Sequence, residues 1–179
     1  MADRHRALRA KRRVVTASGV TLALLGCGIV ATIAVPPRPL LVWNASASAP
    51  LGLYLIGSAR SIGKGDMVIA RLREPYRSLA AKRHYLPANV PLVKRVAAMP
   101  GDRVCAYGTT VVVNGKPVAA RLRIDGRDRA MPWWNGCARL GATQFLLLMS
   151  DSPASFDGRY FGASDRHDVI GRAWALWTW

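Results

Sequence analysis

The chain has 179 residues, 51% of them hydrophobic and 20% charged, with a formal net charge of +16. That length holds one domain of ordinary size behind a short N-terminal segment, and the composition excludes a disordered chain. The charge alone admits anionic lipid or nucleic acid as a neighbour; lipid is the reading adopted and no nucleic-acid partner is expected, because a membrane segment precedes the domain.

Residues 1–13 carry Arg4, Arg6, Arg9, Lys11, Arg12 and Arg13 against Asp3, which is five of the sixteen net charges. Val14 to Val35 then runs twenty-two residues without a charge and stops at Pro36-Pro37. About 20 apolar residues span the hydrocarbon core as a helix, and flanking basic residues stay on the cytoplasmic side. A cleaved signal peptide is the competing reading, but its apolar region is usually about 7–15 residues. The small-residue triplet Ala45-Ser46-Ala47 lies too far past the apolar run for that geometry. The expected organisation is therefore a basic cytoplasmic tail over 1–13, a transmembrane anchor over 14–35 and an extracytoplasmic domain over 36–179. This makes a single-pass membrane protein whose domain lies outside the cytoplasm.

Past the anchor, Asn44 to Tyr54 holds Ser46 and Ser48 two residues apart, then Pro50 and Gly52. Leu51–Ile56 and Met67–Leu72 read as strands separated by the turn Gly63-Lys64-Gly65-Asp66. Pro75–Leu86 reads as a helix, with Tyr76, Leu79, Ala80 and Arg83 at helical spacing. Leu92–Ala97 is a short apolar strand that contains Lys94-Arg95. Thr109–Val113 is β-branched and runs into Asn114-Gly115, a strong two-residue hairpin signal. Arg121–Gly136 is polar and irregular, Phe145–Met149 is a buried-type strand, and Ala173–Trp177 is the last strand. Short strands with Gly and Pro turns predict a mainly antiparallel β domain with a small helical insertion.

Cys27 lies in the apolar run and reads as a small buried residue. Cys105 and Cys137 have no metal-site spacing, and no metal or cofactor is expected. They are either a disulfide, if the domain is exported, or two separate thiols.

A serine needs a base to act as a nucleophile. His5 lies in the cytoplasmic tail, and His84 and His167 sit in charged, polar surroundings, so a Ser-His-Asp triad has little support. Lysine is the other known partner, provided that burial lowers its pKa. Lys94 shares a strand face with Leu92 and Val96, opposite Val93 and Arg95. It is either an edge lysine reaching out to water or a buried lysine that can be neutral.

The stretch Lys94-Arg95-Val96-Ala97-Ala98-Met99-Pro100-Gly101-Asp102 resembles the lysine box of the serine/lysine signal peptidases. Asn44-Ala45-Ser46-Ala47-Ser48-Ala49-Pro50-Leu51-Gly52-Leu53-Tyr54 resembles the serine box of their conjugative-transfer (TraF-type) branch. Ser150–Gly162 is similar to the last box of the family, and the three occur in the family's order after one anchor. The resemblance implies the family's antiparallel β fold, with Ser48 as nucleophile and Lys94 as general base. It also implies that Ser46 and the Ser48 N–H form the oxyanion hole, that Ser155 hydrogen-bonds the lysine amine, and that Asp157 and Arg159 form a supporting ion pair. Ala49 stands where general signal peptidases carry methionine, which favours the conjugative branch. Gly158 stands where the last box usually has serine, and no role is carried over to it.

The function so implied is cleavage of a membrane-inserted pilin precursor, with water or the pilin's own amine resolving the acyl-enzyme. The lipid bilayer is a further partner, as are other components of the transfer apparatus. Trp43, Leu51, Leu53 and Tyr54 are candidates to seat the site in the bilayer interface, although Leu53 and Tyr54 read equally well as core. Two alternatives are a general type I signal peptidase and a non-enzymatic, basic, membrane-anchored scaffold of a transfer apparatus.

Overall fold

The computed structural model of the protein describes the backbone of residues 2–34 and 40–179, with side chains from residue 18 onward outside 35–39. The chain divides into two compact units, Met1–Pro39 and Leu40–Trp179. The first contains helix α1 (Ala2–Ala34), which exposes Val20, Leu22, Leu25, Ile29 and Ile33. Among the described residues no helix is long and apolar enough to cross a membrane. The expected tail over 1–13 and residues 14–17 of the expected span have no described side chains, and Val35 lies outside the described residues.

The second unit is mainly β, and its paired strands are antiparallel. In chain order its elements are β1 (Leu41–Asn44), β2 (Gly52–Ile56), β3 (Met67–Ala70), α2 (Tyr76–Lys82), β4 (Leu92–Ala98), β5 (Arg103–Tyr107), β6 (Thr110–Val113) and β7 (Lys116–Ala120). There follow β8 (Gly136–Arg139), β9 (Gln144–Leu148), α3 (Gly158–Phe161), β10 (Ser164–Asp165) and β11 (Val169–Thr178). One sheet has the order β1-β2-β11-β3-β4-β9-β10 and the other β7-β6-β5-β8. The long strand β11 pairs with β3 through its first half and with β2 through its second, with register shifts at Val169/Gly171 and Ala175/Trp177. Such irregularities bend a strand and curl its sheet.

Local chemistry explains most of these elements. Asn114 and Gly115 both take positive φ, 49° and 81°, as a tight turn between β6 and β7 requires. The predicted helix over Pro75–Leu86 is shorter in the structure: His84 adopts φ 59°, and Tyr85 N donates back to the Ala80 carbonyl, which closes α2. Phe145 to Leu148 in β9 are all buried. Leu146 and Leu148 join Val104, Ala106, Val111 and Val113 in one apolar cluster that ties β9 to the smaller sheet. Each of the valine and leucine side chains contributes about 1.5–3 kcal/mol by leaving water. Strands β1, β5, β8 and β10 lie outside the sequence-based strand assignments. β8 is exposed along its whole length and has no apolar alternation to reveal it.

Candidate active site

The loop between β1 and β2 carries Ser46 and Ser48, and Asn44 sets its shape. Asn44 pairs with Gly52 across the hairpin and is buried. Its Nδ2 donates to the carbonyls of Ser46 (3.0 Å), Ala49 (3.1 Å) and Pro50 (3.0 Å), and its Oδ1 accepts from Ser46 N (3.1 Å). One side-chain amide therefore satisfies backbone groups that no strand partner reaches. Tyr54 adds a second tie, donating from Oη to the Pro50 carbonyl at 2.8 Å. Tyr54 is buried in an apolar cluster with Ala49, Ile69 and Val93, whereas Leu53 is half-buried. Neither the Asn44 nor the Tyr54 contact was foreseen; the Asn and Tyr at the two ends of the serine box were the available signal.

Ser46 Oγ lies 3.0 Å from Ser48 Oγ. Among the described residues no carbonyl takes the Ser48 backbone N–H, which leaves it available as a donor. Lys94 reaches the loop from the middle of β4, opposite Val68 of β3. Its Nζ donates to Ser48 Oγ at 2.6 Å. The lysine is only 2% exposed, which rules out the edge lysine reaching water. Burial pushes its pKa down to about 8, partly opposed by Asp157 and reinforced by Arg159. A lysine so placed has about a tenth of its amine neutral at pH 7, far more than an exposed lysine, and that neutral form can accept a proton.

The segment after β9 forms the floor beneath this pair. Asp157 and Arg159 are fully buried and bonded side-on through both carboxylate oxygens, Nε to Oδ1 at 2.8 Å and Nη2 to Oδ2 at 3.1 Å. Asp157 also accepts from Met149 N and from Arg159 N, the latter as N-cap of α3. Arg159 donates onward to the carbonyls of Ala120, Pro153 and Met149. Every charge in this pair is met, which is the condition for a buried ion pair to be tolerated. Ser155 is buried beside them, but its Oγ has no hydrogen-bond partner among the described residues. The expected bond from Ser155 to the Lys94 amine is therefore not made; that amine is turned to Ser48 instead.

Ser46, Ser48, Lys94 and Ser155 line one cavity of about 310 Å³. A second, more open groove shares Ala47 and Ser48 and is bordered by Arg95, Asp151 and Trp179. His84 and His167 are exposed and line neither. Cys105 and Cys137 face each other on β5 and β8 and are joined as a disulfide. Cys27 is exposed on α1 rather than buried. Among the described residues no cluster of His, Cys, Asp or Glu could hold a metal ion.

The family model for signal peptidase, peptidase S26, matches residues 11–179. The chain is 32% identical to a plasmid transfer protein TraF of Escherichia coli over 181 residues, covering 96% of this chain and 97% of that protein. It is 35% identical over 147 residues to a probable conjugal transfer protein TraF of Sinorhizobium fredii (strain NBRC 101917 / NGR234), covering 76% of each. Among solved structures, a signal peptidase I from Enterococcus faecalis V583 aligns with a TM-score of 0.37 at 16% identity, covering 63% of this chain and 97% of that one.

Proposed function

The chain belongs to the signal peptidase family, peptidase S26, and on that premise we propose that it is a membrane-anchored serine endopeptidase that matures a conjugative pilin precursor through a Ser48–Lys94 dyad. The observation that carries this reading is the buried Lys94 amine donating to the Ser48 hydroxyl at 2.6 Å. A non-enzymatic scaffold gives no reason to desolvate a lysine against a serine in the wall of a cavity.

In the proposed reaction neutral Lys94 accepts the Ser48 proton while Ser48 Oγ attacks the carbonyl carbon of a small residue. The oxyanion formed receives the Ser48 N–H and the Ser46 hydroxyl. The carbon–nitrogen bond then breaks, and the leaving amine takes its proton from Lys94. Water, or an amine of the substrate, gives a proton to Lys94 and attacks the ester; as the ester carbon–oxygen bond breaks, Lys94 returns that proton to Ser48 Oγ and the dyad is restored. If that amine is the pilin's own N-terminus, the product is cyclic. Relatives named for plasmid and conjugal transfer support a substrate within a transfer apparatus.

The proposed topology puts 1–13 in the cytoplasm, 14–35 across the inner membrane and 36–179 in the periplasm. The charge-free run behind a basic tail supports it, as does a disulfide suited to an oxidising compartment. Trp43, Trp177 and Trp179 cluster with ring centroids 5.1–6.4 Å apart, each about half exposed or more, and form an aromatic rim suited to a bilayer interface.

The test is co-expression with a pilin precursor and with an ordinary secretory precursor, read by mass spectrometry. The pilin is expected to be trimmed by the parent protein and left intact by Ser48→Ala and Lys94→Met. Processing that survives Ser48→Ala sinks the peptidase reading, and equal trimming of both precursors favours a general signal peptidase.

A further inference from the structure

The cavity that holds the dyad extends beyond it to a wall built by residues 121–131. Ile124 bridges to Ala130 and Met131 N donates to the Arg123 carbonyl, so this segment is a small hairpin. Its tip is organised by Asp125, which accepts from Arg127 N (2.9 Å), Arg129 N (3.0 Å) and Arg129 Nε (2.7 Å). The hairpin is fastened to the stretch that follows α2. Tyr85 Oη donates to Asp125 Oδ2, Arg83 Nη1 to the Ala130 carbonyl at 2.8 Å, and Arg129 Nη2 to the Arg83 carbonyl at 3.3 Å. Both carboxylate oxygens of Asp125 are thus already engaged, so it offers little to a basic ligand. Beside Asp125 and Gly126, the wall lines the cavity with aliphatic side chains, Leu122, Ile124 and Met131, and Leu86 is part of the same lining. Leu122 and Ile124 remain 47% and 50% exposed.

We propose that the hairpin 121–131, latched by Tyr85, forms a subsite for a large aliphatic side chain of the substrate, several residues from the scissile bond. This rests on the peptidase reading. The occupant follows from continuity: one cavity runs from Ser48 to this wall, so a chain bound for cleavage at Ser48 enters it, and an aliphatic wall with its one carboxylate satisfied selects an aliphatic side chain. Ile124 and Leu122 determine specificity by contact. Tyr85 is a positioning residue that acts through Asp125.

The experiment uses the full chain in detergent micelles. Fluorescent peptides carry Ala-Ser-Ala before the scissile bond and either Leu or Ala at the fourth, fifth or sixth position upstream. Binding is measured on the Ser48→Ala protein by anisotropy, and cleavage on the parent. Leu at one position is expected to bind at least about tenfold more tightly than Ala. Ile124→Ala should reduce that preference to about twofold or less. Tyr85→Phe keeps the ring, and thermal melting checks that it folds. It should raise KM for the Leu peptide and leave the pH dependence of cleavage where it was. Equal binding of Leu and Ala peptides, no binding of either, or a preference untouched by both substitutions overturns the subsite. A Leu preference in binding, lost in Ile124→Ala, with no cleavage by the parent keeps the subsite and overturns the peptidase reading.

Discussion

Lys94 and Ser48 stand 46 residues apart in the chain, and the lysine amine donates to the serine oxygen at 2.6 Å. Nothing local joins them. The loop after β1 and the middle of β4 meet because β11 pairs with β3 and then with β2, bending the sheet between the two sites.

A first expectation concerns pH. With Lys94 as the proposed base, only its neutral form accepts a proton, and burial holds its pKa at about 8. The log of kcat/KM for a pilin-derived peptide should rise about one unit per pH unit below that value and level off above it. An acid limb centred near the ordinary histidine value of about 6.5 would point to a different base.

Burial of Lys94 also has a stability consequence of definite sign. Its pKa is about 8 in the folded protein against 10.5 unperturbed, so between those values the unfolded chain binds the extra proton. Stability therefore rises with pH across that window, and below about pH 8 the folded state carries the full penalty, on the order of 3 kcal/mol. Lys94→Met removes the penalty and loses one hydrogen bond of about 1 kcal/mol. The variant should be inactive, yet more stable than the parent by about 2 kcal/mol at pH 7, with the gain fading towards about pH 10. Denaturant melts at the two pH values measure this. A variant less stable than the parent at pH 7 contradicts it.

Some of this was legible in the sequence and some was not, for reasons that can be named. Asn114-Gly115 announces its turn because few residue pairs tolerate two positive φ values. The setting of Lys94 was half legible: apolar neighbours showed an unusual lysine, but alternation alone left open whether it reached water. The tertiary position of β4, between β3 and β9 inside the sheet and covered by the serine loop, decides that. Asn44 was not legible as the organiser of the loop, since its partners are carbonyls whose directions exist only once the loop is folded. The Tyr85–Asp125 latch joins residues 40 apart and leaves no periodic trace. The Ser155 hydroxyl, without a partner among the described residues, is a departure from the expectation based on resemblance, and it depends on which way one amine turns.

Asn44 gives a third prediction. Asn44→Asp conserves size but cannot donate to the carbonyls of Ser46, Ala49 and Pro50. The Ser46 and Pro50 carbonyls keep the Ala49 N–H and the Tyr54 hydroxyl, so among the described residues the Ala49 carbonyl is the acceptor left unmet, at about 1–3 kcal/mol where water does not replace the donor. Asn44→Asp and Asn44→Ala should both lose on the order of 2–4 kcal/mol and about a hundredfold in cleavage, because Ser46 and Ser48 are no longer held in place. An Asp variant that melts and cleaves like the parent would show that the loop holds its own shape.

The Cys105–Cys137 disulfide closes a segment with a sequence separation of 32 and ties the exposed strand β8 to β5. Replacing both cysteines by alanine should cost about 3 kcal/mol, roughly 10 °C in melting temperature for a domain of this size. Reductant should lower the melting temperature of the parent by a similar amount and leave the double variant unchanged. Protein recovered from the membrane with two free thiols would contradict the bond.

Gly158 gives the last prediction, and it joins packing to the titration of Lys94. A Cβ at this position would lie 2.8 Å from Leu146 Cδ1 and 2.9 Å from the Leu147 carbonyl. The leucine tip can rotate, but the carbonyl belongs to the backbone of β9 and cannot move cheaply. Serine, the residue usual at this place in the resembled box, therefore does not fit here without displacing α3. Gly158→Ser should cost on the order of 1–3 kcal/mol. The displacement falls on Asp157 and Arg159, the residues on either side. Asp157 raises the Lys94 pKa, so moving its carboxylate away lowers that pKa further and carries the acid limb of the rate profile to lower pH. A melt and a pH–rate profile on the same variant test both halves. If Gly158→Ser is as stable as the parent and its acid limb stays in place, α3 accommodates the side chain, and the close contact with β9 does not set the position of Asp157.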